Sequence, residues 1–537
     1  MKKLSKLISK TLITTFTITS ITFLFSCSSR ITPTTPSINL ENNSSNAITQ
    51  EEFNNLTPNE ADNVPFTPSG PADIDNYRPG DMGPGDMGPG DMKPDDAKMG
   101  NIQYGNPPGM PPKENEMHNQ PGDNNSPANY KAVNTYSNNK LITDLNVTST
   151  ESDESAVLVE NGANVTINNF TINRENSNSS GGDSASFYGV GAAVLSANGN
   201  LTLRNGTITT NSKGGAGVFS YGKGTANLSN VIINTNDDTS GGIHVAGGGT
   251  LNATNVTVTT NGKSSAAIRS DRGGGQMNVT GGTYTSNGEG SPAIYCTADI
   301  NVSDATLTAN GSEAICIEGL NTTTLKNVTL TSSMKDLYQN DITWSVIIYQ
   351  SMSGDSTIGK GTFNMEGGKI ISTNGGLFYT TNTDSEFNLK NVELNPSDDF
   401  EFLLQVTGNR NERGWGSKGS NGANCTFNAD SQKLDGKILY DSISTLSLNL
   451  KNNSIFTGEI IDDETYAGKA TGNGYADVYV DKSSTWVVTS SCIINNLTLE
   501  GKLVDEDGND VNVVDMDENI LREGKSDITV TVKSFNS

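Results

Sequence analysis

From residue 165 onward the chain repeats an eight-residue frame: apolar, x, apolar, x, Asn, apolar, x, apolar. One copy is Val165, Ile167, Asn169, Phe170 and Ile172, and the next is Leu201, Leu203, Asn205, Gly206 and Ile208. The same offsets return around Asn230 and Asn255, and matching frames surround Gly281, Asp304, Asn327, Gly367 and Asn391. Apolar residues two apart predict a strand with one face in a core. The step across the central residue is three, so the faces would exchange unless the backbone turns there. Asn, Asp and Gly tolerate the left-handed backbone such a corner requires. Each frame therefore predicts two short strands joined at a corner.

Six of the eight intervals between these centres are 23–26 residues long, and the two longer ones carry insertions after Asn173 and Ser333. About a dozen residues before each corner a third apolar run appears, as in Ala193–Leu195, Gly242–Val245, Ala293–Tyr295 and Val346–Tyr349. Three strands per period, repeated at a fixed length, predict one coil of a solenoid. The expected fold is all-β, a right-handed parallel β-helix; the hand follows the general rule for parallel crossovers. Ten or more coils stacked at about 4.8 Å make a rod about 50–70 Å long. The central Asn residues are expected to stack as a polar ladder along one edge.

The front of the chain has no such period. Residues 1–26 combine a basic start (Lys2, Lys3, Lys6, Lys10) with the apolar, Thr-rich run Leu12–Phe25, which predicts an export signal. The run ends Leu24-Phe25-Ser26-Cys27-Ser28-Ser29 and resembles the lipobox of bacterial lipoproteins. That resemblance implies lipidation at Cys27, an exported protein and attachment to the bacterial cell envelope or outer membrane through an N-terminal lipid. Residues 27–146 contain repeats such as Gly83-Pro84-Gly85-Asp86-Met87 and predict a disordered tether. Six of the twelve methionines fall between Met82 and Met117, but Gly-Pro repeats fix no coordination geometry, so no metal or cofactor is expected there. The regular solenoid is expected over 147–400 and less regular distal coils with a terminal cap over 401–537.

Composition sharpens this picture. The formal charge is −25, and loss of the four lysines of 1–26 would make it −29, which argues against nucleic acid as a partner. Aromatic residues are only 6% of the chain, which suits a narrow core of small and β-branched side chains. Cys296 and Cys316 fall in neighbouring coils but one residue out of phase, so their thiols should face opposite ways and remain unbridged.

Candidate chemistry lies on the third strand. With Ile243, Ile268, Ile294, Ile315 and Ile348 inward, the outward row becomes His244, Arg269, Tyr295, Cys316 and Tyr349, continued by Tyr379. Aromatic rings can stack on sugar faces while charged groups take hydroxyls, so His244, Arg269, Tyr295, Tyr349 and Tyr379 are candidate ligand-binding residues. The architecture resembles the pectin-lyase-like β-helices, which include polysaccharide lyases and glycoside hydrolases. Asn234-Thr235-Asn236-Asp237-Asp238 followed by Gly242-Ile243-His244 is similar to a polygalacturonase motif set, but Asn236 replaces its first Asp. The set's Gly-His-Gly and Arg-Ile-Lys elements are missing. Asp237, Asp238, His244 and Arg269 are thus the catalytic candidates of an alternative reading, and one adjacent carboxylate pair does not supply the separation that hydrolysis needs.

Beyond Asn391 the frame loosens, and Gly414-Trp415-Gly416-Ser417-Lys418-Gly419 predicts a protruding loop. The run Ser483–Val488 leading into Leu497–Gly501 resembles the distal part of autotransporter-passenger and other adhesin-like β-helices. The remaining strands are too few and polar for a membrane barrel, so anchoring is expected to rest on Cys27. The resemblances imply a surface-exposed lipoprotein that binds polysaccharide or a host or matrix protein without catalysis. Alternatives are a polysaccharide lyase or glycoside hydrolase on the same fold, and a structural surface rod.

Overall fold

The computed structural model describes residues 129–175, 179, 181–351, 353–468 and 472–537. The expected signal segment, Cys27 and the expected tether up to residue 128 lie outside the described residues. The last part of the expected tether is strand: Lys131–Tyr136 and Lys140–Ser149 form a coil ahead of position 147. Its corner is Asp144, at φ 55°, with Ile142, Leu145 and Val147 in the expected offsets. Lys140 stands where the frame wants an apolar residue, which hides this coil in the sequence.

Every predicted corner has left-handed backbone. Asn169, Asn205, Asn230, Asn255, Asp304, Asn327 and Asn391 have φ between 52° and 57°, and Gly281 and Gly367 have 66° and 65°. Asn and Asp accept this region at lower cost than other residues with a Cβ, because their short polar side chains bond locally. The apolar residues flanking each corner are buried, save Leu394 beyond Asn391, which is partly buried, so the step of three does keep one face inward. Each long strand, such as Thr225–Thr235, pairs in parallel with the long strands one coil before and after it. The short third strands form a separate 13-stranded parallel sheet. In the distal coils a third sheet of four strands appears, Lys433–Asp435, Ile455–Gly458, Thr485–Val488 and Lys502–Val504. The fold is a parallel β-helix.

Stacked amides reinforce it along several lines. At the predicted corners Asn169 donates to Asp144, Asn230 to Asn205 and Asn327 to Asp304, at 3.2–3.3 Å. A tighter ladder runs at the end of the long strands, where Asn236, Asn261, Asn287 and Asn310 each donate to the preceding member, starting from Asn211, at 2.6–2.8 Å. The core itself departs from small side chains in the distal half: Phe363, Phe378, Phe387 and Phe427 stack inside it at 5.5–6.3 Å between ring centres.

Candidate functional site

The short-strand sheet sets the candidate residues in register. Phe219, His244, Arg269, Tyr295, Cys316, Ile347 and Tyr379 are consecutive partners along one outer row. Tyr349 faces the same way but lies one step along, paired with Glu318 and Thr381, because Ile315 partners Val346 and not Ile348. The row points away from the solenoid's interior, as expected. It does not face solvent, however: His244, Tyr295, Cys316, Tyr349 and Tyr379 are all buried, and the Arg269 side chain is 13% exposed.

Insertions close over it. The segment after Asn173 carries the helix Gly182–Tyr188, whose Phe187 is buried. The segment after Ser333 brings Met334 and Trp344, and these pack with Tyr295, Cys316, Tyr349 and Tyr379 in one apolar cluster. The glycine-rich loop expected to protrude folds back instead, so that Trp415 lies 4.4 Å from the Tyr349 ring and 6.3 Å from Trp344. A second apolar layer thus covers the outer face of the sheet. Aromatic side chains on both the strands and the insertions explain why the face does not stay open: burying each pair removes a large apolar area from water.

Several polar groups in this layer are paired with one another. His244 Nε2 lies 3.1 Å from Asp271 Oδ2, and its ring rests 4.1 Å from that of Phe219. Arg269 Nε donates to the same Asp271 oxygen at 2.7 Å, its Nη1 to the Ser264 carbonyl and its Nη2 to Ser186 Oγ of the helix. Burial pushes His244 down to about 4, with Arg269 adding to the fall and Asp271 opposing it, so the imidazole is neutral at pH 7. Burial alone would raise Asp271, and Arg269 with His244 outweigh it, holding that carboxyl below its ordinary value. Further along, Glu318 accepts from Tyr295 Oη at 2.8 Å and Tyr349 Oη at 2.9 Å.

Asp237 and Asp238 do not join this group. They sit at the turn after Thr225–Thr235, where Asp238 accepts from the Lys263 backbone N–H at 2.8 Å in the following coil. Among the described residues no hydrogen bond or ion pair connects either to His244 or Arg269. The carboxylates that the fold does bring to the row are Asp271, Glu318 and Asp355. Glu318 was within reach of the sequence, since it lies two residues beyond Cys316 and so shares its face; Asp355 comes from an insertion that strand alternation does not place. Cys296 and Cys316 do face opposite ways, one in the solenoid core and one in the outer layer, and all four described cysteines are free and buried.

One concavity opens where this layer ends. Tyr379, Trp344 and Trp415 line it together with Asp341, Glu412 and Arg413. Trp344 Nε1 is buried and has no hydrogen-bond partner among the described residues. Arg413 lies over the Trp415 ring at 5.4 Å and donates to Asn340. The pocket is small, about 10 Å³ or one water, and the Trp344, Tyr379 and Trp415 rings that back it are buried, so a ligand would meet its charged rim, Glu412 and Arg413. No known protein family, curated protein or solved structure matches the chain.

Proposed function

We propose that this chain is a cell-surface lipoprotein whose β-helix binds a glycan, or a glycan-bearing host or matrix ligand, without turning it over. The observation that carries the reading is the charged rim of Glu412 and Arg413 over the small pocket backed by Trp344, Tyr379 and Trp415. A guanidinium and a carboxylate suit the hydroxyls and acid groups of a sugar chain lying across that rim. The absence of turnover is supported by the state of the catalytic candidates: His244 and Arg269 are buried and committed to Asp271, and Asp237 and Asp238 lie elsewhere at a turn. Lipid attachment at Cys27 rests on the sequence.

A glycan array probed with the full mature chain tests this. Binding is expected on a restricted set of saccharides, to fall at least tenfold in a Glu412→Ala, Arg413→Ala double variant, and to leave the ligand uncleaved. Release of unsaturated or reducing sugar that disappears in Asp238→Asn or Arg269→Ala would replace binding with catalysis. No binding, with the protein abundant on cells, would leave the structural rod. In cells, Cys27→Ala is expected to abolish both lipid labelling and retention in the membrane fraction.

A further inference from the structure

The covered face of the short-strand sheet holds more buried carboxylate than cation. Asp271 is met by Arg269 at 2.7 Å, and Asp355 by Arg272 at 3.0 Å. Glu318, 1% exposed, has no ion-pair partner among the described residues. It accepts from three hydroxyls, those of Tyr295, Tyr349 and Ser351. Hydroxyl donors order a carboxylate but leave its charge in place. Burial without a countercharge favours uptake of a proton or a cation by such a carboxylate, against the hydroxyl donors that stabilise its charged form.

The loop that follows Tyr349 brings further oxygens to the same place. Ser351 Oγ touches both Glu318 Oε1 and, at 2.6 Å, Ser353 Oγ. Ser353 Oγ in turn accepts from the Asp355 backbone N–H at 3.3 Å. Residues 351, 353 and 355 thus supply an oxygen at every second position. Gln350, 5% exposed, donates its amide N–H to the Ser351 carbonyl at 3.0 Å, whereas its Oε1 has no donor among the described residues. That oxygen lies beside Gly319, the neighbour of Glu318: a Cβ at Gly319 would stand 2.7 Å from it. An amide oxygen buried without a donor is destabilising until it finds a partner. Burial raises both Glu318 and Asp355 above their ordinary values, and Asp355 adds to the rise at Glu318.

We propose that Glu318, Gln350, Ser351, Ser353 and Asp355 form a binding site for a divalent cation of the calcium class. The donors are the carboxylates of Glu318 and Asp355, the hydroxyls of Ser351 and Ser353, and Oε1 of Gln350. Calcium fits better than magnesium, because neutral hydroxyl and amide oxygens on an irregular loop suit its flexible coordination, whereas magnesium demands octahedral geometry and retains water. The cation neutralises Glu318, gives Gln350 Oε1 a partner and ties the loop down over Tyr295 and Tyr349.

Terbium, a calcium surrogate, tests the site in the full chain after removal of metal with EDTA. Tyr295 and Tyr349 both bond to Glu318, so excitation of tyrosine should give sensitised terbium emission. Calcium should displace it at about 10⁻⁴–10⁻³ M, the range of extracellular calcium modules, and equal magnesium should not. Glu318→Gln should lose the signal, and Ser353→Ala, which leaves all three hydroxyl contacts to Glu318 in place, should weaken calcium competition at least threefold. Calcium should also raise the melting midpoint of the wild type and not of Glu318→Gln. Emission and calcium competition unchanged in both variants would assign the signal to other surface acids and overturn the site. No emission from the folded wild type would overturn it as well, leaving Glu318 as a protonated acid.

Discussion

His244 makes the stability of the outer layer depend on acid. In the folded chain the imidazole is held at about 4, against an ordinary value of 6.5, because burial disfavours its charged form more than Asp271 favours it. The unfolded chain therefore binds this proton more readily than the folded one. The sign follows directly: the contribution is fully present above pH 6.5 and is lost as pH falls from there towards 4. At 1.36 kcal/mol per pH unit the gap corresponds to about 3 kcal/mol. Other groups also titrate in acid, so the measurement is a difference. His244→Phe keeps an aromatic ring against Phe219 and leaves Asp271 its Arg269 partner, but removes the titrating group. Urea unfolding of both proteins at pH 7.5, 6, 5 and 4 should show the wild type losing about 3 kcal/mol more than the variant across that range. Parallel loss in the two proteins would refute the reasoning and show that His244 is accessible to protons without unfolding the layer.

Three further outcomes follow from the coils. Asn255→Val puts a β-branched residue at φ 52° and should cost about 1–2 kcal/mol in urea unfolding, whereas Asn255→Gly should be tolerated. Asn261→Ala breaks the amide bonds to Asn236 and from Asn287, both 2.8 Å, and should lower stability by about 1 kcal/mol. Burial raises the thiols of Cys296 to about 11 and of Cys425 and Cys492 to about 12. In a Cys27→Ser background, a thiol reagent at pH 8 should therefore find no fast-reacting cysteine in the native protein and four in denaturant.

The solenoid was legible because its cause is local. A corner needs a residue that accepts positive φ, and flanking apolar residues must return to the same face, so both requirements are written within eight residues. Where a local substitution broke the pattern, the coil disappeared from view: Lys140 masked the coil at Asp144, and Ser431, at φ 53°, marks a corner without Asn, Asp or Gly. Alternation also placed His244, Arg269, Tyr295 and Tyr379 in one outer row, but it could not assign pairing across the 40-residue interval, which displaced Tyr349 by one step. Exposure was the larger error. Which insertion folds back over a strand depends on contacts between distant residues such as Tyr349 and Trp415, and no periodicity records them. Asp271, which follows Arg269, was legible as an acid near this face, but its pairing with His244 was not, since it belongs to the next coil and lies beyond its strand.

These differences relocate where specificity can reside. The helix Gly182–Tyr188, the segment from Ser333 to Trp344, the loop from Gln350 to Asp355 and the loop carrying Trp415 all join the chain at the ends of short strands. Together they bury the coil residues of that face, so a ligand approaching from outside meets the insertions first. The coils then act as the platform: their register fixes where each insertion starts, and stacked amides keep neighbouring starts aligned. Under the glycan binding proposed above, a change in ligand is expected to follow from residues such as Glu412 and Arg413, whose replacement leaves the stacked strands intact. A change at His244 or Arg269 acts through the anchoring of the insertions, and so moves stability and binding together.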